Sequence, residues 1–142
     1  MGATLILVSC VSTKRQKACA ARDLYSSPWF TKARRYVEEA QVPWCILSAK
    51  HGLLQPDSIV SPYDQALHTM PVRERRNWAE RVAGQLALAE PNLTQVVMLA
   101  GSIYREFLTT HLTERGVAVA TPMQGLAIGE QLRWLTTHRH GC

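Results

Sequence analysis

Long apolar runs are missing from this 142-residue chain. The opening stretch from Leu5 to Val8 falls far short of the roughly twenty apolar residues that cross a bilayer, so neither a spanning segment nor a signal peptide is expected. Cysteine is sparse as well. Cys10, Cys19, Cys45 and Cys142 form no C-x-x-C pair, and a reduced, cytoplasmic protein is the simplest expectation. Neither a P-loop, a G-x-G-x-x-G, an H-E-x-x-H nor a Cys/His set at zinc spacing occurs, so neither NTP hydrolysis nor a metal is called for and no cofactor is expected. The tail His138-Arg139-His140-Gly141-Cys142 has ligand-type side chains but no second cluster to complete a site. With no repeat or low-complexity linker, residues 1–137 read as a single domain and 138–142 as a loose tail.

Acid is the scarcer charge. Eleven Asp and Glu stand against sixteen Lys and Arg, a net +5, which favours a polyanionic partner. The basic residues are grouped: Lys14, Arg15, Lys17 and Arg22; then Lys32, Arg34 and Arg35; then Arg73, Arg75 and Arg76. Solvated helix faces and loops explain such groups as well as a phosphate-binding surface does. On the second reading, Arg15, Lys17, Arg73 and Arg76 are the candidates for DNA-backbone contact.

What the chain does have is alternation. Thr4 to Ser9 is continuously apolar and β-rich, as a strand covered on both faces would be. A polar loop from Ser12 to Arg22 follows. Ser27-Pro28 then reads as an N-cap with proline in the first helical position, and Trp29, Phe30, Ala33 and Val37 recur at helical spacing to about Ala40. A second strand spans Trp44 to Ser48. Gly52 and Pro56 predict an irregular excursion through Tyr63 to Met70 before Pro71 opens a helix carrying Trp78, Val82 and Leu86. A third strand, Gln95 to Ala100, leads into a helix ending near Gly116, a join at which free backbone N–H groups can hold an anion. Val117 to Ala120 makes a fourth strand, and a last helix carries Ile128, Leu132 and Leu135. About four strands alternating with helices predict an α/β fold: a mostly parallel sheet flanked by helices, Rossmann-like and three-layered.

Loops after parallel strands gather on one edge, where open α/β sheets bind ligands. The densest such loop follows Cys45-Ile-Leu-Ser48: Ala49-Lys-His-Gly-Leu-Leu-Gln-Pro-Asp57, then Ser61-Pro-Tyr-Asp64. Lys50, His51, Asp57 and Asp64 are the candidate catalytic groups. Ser9, Cys10, Lys14, Tyr63, Ser102, Gln124 and Gly125 are candidates for substrate contact. Each has a plainer alternative: Asp57 and Asp64 as turn formers, Cys10 as a space filler, Tyr63 as a buried tyrosine bonded to backbone.

The segments Val8-Ser-Cys-Val-Ser-Thr-Lys14, Asp23-Leu-Tyr-Ser-Ser-Pro28, Leu47-Ser-Ala-Lys-His-Gly-Leu53 with Pro62-Tyr-Asp64, and Gly125-Leu-Ala-Ile-Gly-Glu-Gln-Leu-Arg-Trp134 together resemble a small bacterial and phage domain family of unknown function. More distantly, Leu47-Ser48, Gly52-Leu-Leu54 and Pro62-Tyr63 resemble the YaaA family, associated with peroxide stress and DNA binding. These resemblances imply a nucleic-acid context close to base modification or its removal. They also suggest Lys14, Lys50, His51, Tyr63 and Asp64 as site positions. This chain has Gln124 where that pattern often has Glu and Ala127 where it often has Gly. An acid role at 124 therefore fails, and an amide there suits a base edge instead.

The leading expectation is a DNA N-glycosylase that extrudes a modified base and hydrolyses its bond to deoxyribose, in phage defence or repair. Asp64 is the first choice to stabilise the oxocarbenium-like state and orient water, with Asp57 second. Lys50 and His51 would stabilise the departing base or clamp a phosphate. Ser9 and Lys14 suit phosphate contact. The competing expectations are a DNA-binding protein that breaks no bond and an enzyme acting on free nucleotides or nucleosides.

Overall fold

The computed structural model describes residues 2–138. Its first strand, β1 (Ala3–Ser9), has its last five residues buried, consistent with an unbroken apolar run covered on both faces. It pairs in parallel with β3 (Trp44–Ser48) on one side and β6 (Leu93–Leu99) on the other. β7 (Ala118–Ala120) adds to β6, also in parallel. On the far edge β4 (Gly52–Leu54) runs antiparallel to β3, giving the order β4-β3-β1-β6-β7.

The expected sheet of about four strands thus has five, and the fifth is antiparallel. The stretch after Ser48, expected to be irregular from Gly52 onward, instead turns back as a tight hairpin. Gly52 takes φ +74°, a backbone region open to glycine at little cost. Three residues, Gly-Leu-Leu, are too few to display a strand periodicity.

Two further pieces lie in the polar loops. β2 (Cys19–Ala20) pairs antiparallel with β5 (Ile59–Val60) and continues into the single turn α1 (Ala21–Leu24). This ribbon ties the loop after β1 to the loop after β4.

The helices follow their sequence signals. α2 (Pro28–Ala40) starts with Ser27 Oγ accepting the Phe30 N–H at 3.1 Å and stops at Gln41 in a left-handed conformation. α3 (Val72–Ala89) begins directly after Pro71. α6 (Ile128–Thr137) is capped by the Glu130 carboxylate, which accepts the Ala127 N–H at 3.1 Å. The helix expected from Ser102 to Gly116 is two: α4 (Ser102–Arg105) and α5 (Leu108–Glu114). Ile103, Leu108 and Leu112 continue the apolar face across the interruption, so periodicity does not register it.

α2 packs against α6, and α3 against α5. Right-handed crossovers put these two pairs on opposite faces of the sheet, a three-layer α/β domain. Phe30, Val37 and Leu135 are buried on the first side, Trp78, Leu86, Leu108 and Leu112 on the second, with Leu7, Ile46 and Leu99 in the sheet between. No helix among the described residues is long and apolar enough to cross a membrane. Of the tail, His138 stacks on Trp134 at 4.5 Å; residues 139–142 lie outside the described residues.

Candidate functional site

Chain order decides where a pocket opens. From β1 the chain crosses to β3 on one side, and from β3 it returns past β1 to β6 on the other. The loops leaving β1 and β6 therefore diverge, and open α/β sheets bind ligands in the crevice between such loops. A cavity of about 360 Å³ lies there, lined by Cys10, Val11, Ser12 and Lys14 after β1, Ile103 and Tyr104 after β6, and Tyr63, Asp64, Gln65, Ala66 and His68 from the long excursion.

Its wall is a hydrogen-bonded polar cluster set in apolar core. The Tyr63 hydroxyl shares hydrogen bonds with Ser48 Oγ at 2.7 Å and with the Tyr25 hydroxyl at 2.5 Å. All three residues are buried: Ser48 is 0% exposed, Tyr25 3% and Tyr63 7%. Ser48 Oγ also accepts the His51 N–H at 3.0 Å, and the Ser48 carbonyl accepts Trp78 Nε1–H at 2.9 Å. Burial pushes the Tyr25 phenol up to about 12 and Tyr63 higher still, because a phenolate in this setting loses its hydration. Both are therefore neutral hydrogen-bonding groups at ordinary pH. Across the cavity Tyr104, whose phenol burial also raises, shares a 3.3 Å contact with Cys10 Sγ.

Charge enters from two sides. Lys14 Nζ sits 4.5 Å from the centre of the Tyr63 ring and 5.8 Å from that of Tyr25, a cation held over aromatic faces. Asp64 is exposed at the cavity lip, and no ion pair among the described residues occupies its carboxylate. His51 lies behind the wall, edge-on to Tyr63 with ring centres 5.5 Å apart. Burial first, then Lys50 and Arg81, lower its pKa.

The turn carrying Lys50 and His51 is clamped by one face of α3. Trp78 donates to the Ser48 carbonyl, Arg81 Nη2 to the Lys50 carbonyl at 3.0 Å and Gln85 Nε2 to the His51 carbonyl at 3.2 Å. Gln85 Oε1 in turn accepts the Leu53 N–H at 2.8 Å. Positions 78, 81 and 85 recur at helical spacing. Lys50 lines a second basin of about 370 Å³ with Glu74, Asn77, Trp78 and Arg81, and Gln65 borders both cavities.

Of the residues singled out in the sequence, Cys10, Lys14, Tyr63 and Asp64 line one cavity, His51 supports it from behind and Lys50 faces its neighbour. Ser9 lies on the opposite side of the same loop, in a third basin. Ser102 is exposed at the start of α4. Gln124, whose Oε1 accepts from Thr121 Oγ1 at 2.7 Å, and Gly125 occupy the turn after β7 and line none of these basins. Asp57 is outside them too: it pairs with Arg22, anchoring the ribbon end. Arg15 borders a depression with Arg22 and Arg34, and Lys17 is exposed in the loop before β2. Arg73 is exposed on the first turn of α3, while the Arg76 guanidinium lies 4.3 Å from the Phe107 ring centre. His68, Gln65 and Tyr104 were not singled out. The Asp64-to-His68 interval within a loop preceding a proline-started helix was a signal for the first two; Tyr104 had none, since its spacing reads as ordinary helix.

Among the described residues no group of His, Cys, Asp and Glu is arranged to hold a metal. The candidate site is a mixed-charge cavity with a largely apolar lining at the switch point of a three-layer α/β domain. Residues 5–137 match the model of a family of unknown function, DUF6884, and the chain belongs to that family. It is also 36% identical over 101 residues to the uncharacterized protein YfjM of Bacillus subtilis strain 168, a match covering 66% of this chain and 63% of that protein. The match thus spans less than two thirds of that relative's length. No solved structure matches.

Proposed function

We propose that the chain is a DNA N-glycosylase whose active site is the cavity between the β1 and β6 loops. The observation that carries this reading is that Asp64 and Lys14, opposite charges without an ion pair to each other, face one cavity walled by Tyr63 and Tyr104 at a ligand-binding edge. A cavity of about 360 Å³ is within the range of small-ligand sites. One buried and one half-buried aromatic wall and the net +5 charge suit a base taken from a polyanion.

In the reaction the bond from the base nitrogen to C1′ breaks, and its electron pair leaves with the base. The sugar passes through an oxocarbenium-like state. Water then bonds to C1′ and gives up a proton. Asp64 stabilises the cation and accepts that proton. Lys14 stabilises the negative charge developing on the departing base. Tyr104, held neutral, offers its hydroxyl to the base edge, while Tyr63, whose hydroxyl is spent on Ser48 and Tyr25, contributes its ring as a wall. Lys50 and Arg81, in the adjoining basin, suit a flanking phosphate. Asp57, committed to Arg22, takes no part.

The test is incubation of purified protein with duplex and single-stranded DNA carrying natural and phage-type modified bases, followed by detection of abasic sites. Base release that disappears in Asp64→Asn while DNA binding persists supports the reading. Retained or tighter binding with no base released from any substrate assigns the chain to the non-catalytic DNA binders. Turnover of free nucleosides without affinity for DNA assigns it to the nucleoside enzymes.

A further inference from the structure

Beside the central cavity lies a larger and more apolar basin, about 510 Å³, that the chemistry above leaves unused. The two share Val11 and Ser12 as their common wall. Trp29 at the start of α2, Ile128 and Leu132 on α6, and Gly101 at the end of β6 complete the basin. We infer that this basin is a second nucleobase subsite, holding the base adjacent to the one in the central cavity, so that the ligand is a single strand lying along the sheet edge. This inference rests on the nucleic-acid reading above.

Three observations favour a planar apolar ring as the occupant. The Trp29 indole is fixed by its edge: Nε1–H donates to Gln131 Oε1 at 2.9 Å, and Gln131 Nε2 donates to the Leu126 carbonyl at 2.9 Å. Its polar atom is thereby satisfied within the protein, leaving the ring available for stacking, the sequence-tolerant mode by which single strands are held. Ile128 is 62% exposed, one of few large apolar side chains left in solvent. Finally, a Cβ built at Gly101 meets nothing within 4 Å, so the basin wall is open where a side chain would narrow it.

Adjacency argues for the occupant. Gln65 lines both the central cavity and the basin of Lys50 and Arg81, and Val11 and Ser12 line both the central cavity and the basin of Trp29 and Ile128. The three basins are neighbours along the sheet edge, one holding Lys50 and Arg81 with Glu74 and another lined by the apolar Trp29, Ile128 and Leu132. A strand of two or three nucleotides matches that sequence of environments, whereas a mononucleotide fills only its middle.

The test compares deoxynucleoside monophosphates with di- and trinucleotides by calorimetry, using wild type, Gly101→Leu and Trp29→Ala. Gly101 has φ −71°, which any residue adopts, so leucine there obstructs the basin without backbone strain. Wild type should bind the longer ligands about 10-fold or more tighter than the mononucleotide, the scale of one stacked base. Both variants should lose that gain and keep mononucleotide affinity, and Trp29→Phe should retain most of it. A length gain that survives in Gly101→Leu and Trp29→Ala overturns the subsite alone. Absence of binding to any of these ligands in wild type overturns the nucleic-acid reading on which it rests.

Discussion

Tyr63→Phe isolates the buried hydroxyl cluster while leaving the ring under Lys14. It removes the 2.5 Å partner of the Tyr25 hydroxyl, in a residue 3% exposed, and the 2.7 Å bond to Ser48 Oγ, leaving Ser48 as the neighbour that still interacts with Tyr25. A buried hydroxyl left poorly satisfied costs about 1–3 kcal/mol and a lost net hydrogen bond about 1 kcal/mol, so the variant should lose about 2–4 kcal/mol. At about 3–5 °C per kcal/mol for a domain of this size, Tm should fall by about 6–20 °C. Tyr25→Phe alone should cost about 1 kcal/mol, because Tyr63 keeps Ser48. Once Tyr63 is phenylalanine, removing the poorly satisfied Tyr25 hydroxyl should relieve part of the loss, so the double variant should be at least as stable as Tyr63→Phe. Urea denaturation of the four proteins gives the coupling directly. Costs that add within about 0.5 kcal/mol would refute the cluster as an energetic unit.

The remaining predictions follow from single contacts. Asp64→Asn should lower base release by about 100-fold or more, while Asp57→Asn should leave it unchanged and shift stability by under about 1 kcal/mol, since its pair with Arg22 is largely solvated; equal loss in both contradicts the assignment. All four tyrosines have raised phenol pKa values, chiefly from burial. Absorbance at alkaline pH should therefore show no tyrosine ionising at 10 in the folded protein. The folded state holds those protons more tightly, so stability should fall as pH rises above 10; a normal titration in the folded protein denies the burial. His51 has the opposite sign, a lowered pKa: the unfolded chain takes up its proton first, so stability should drop as pH falls below 6.5, and His51→Gln should flatten that limb. Gly52→Ala combines φ +74° with a Cβ 2.4 Å from Gln85 Oε1. It should cost more than about 1 kcal/mol and loosen the Lys50–His51 turn, read as faster amide exchange at Leu53.

Much of the architecture was legible because strand and helix periods are written locally. The run from Thr4 to Ser9, the Ser27-Pro28 cap and the Pro71 start each need only nearby residues to act, and alternating elements then imply parallel pairing. β4 escaped, since its pairing with β3 depends on one glycine's backbone and on three residues without a period. So did the break between α4 and α5.

The site divides the same way. Of the residues put forward from strand ends and their loops, Cys10, Lys14, Tyr63 and Asp64 line one cavity, whereas Ser9, Lys50, Ser102, Gln124 and Gly125 do not. Local chemistry ranked Asp64 ahead of Asp57 but left both as candidates. Both are acids in turn-rich segments, and only the long-range pairing of β2 with β5 brings Arg22 to Asp57 and leaves Asp64 at the cavity lip. Tyr104 and Trp29 look like helix filler in the chain and become cavity walls once β1 and β6 lie side by side. The sequence by itself determined which elements form and which loops share an edge, because hydrophobic period and capping act over a few residues. Which side chains on that edge face a cavity, and which are spent on neighbours, was decided by contacts between residues tens of positions apart, which no local pattern encodes.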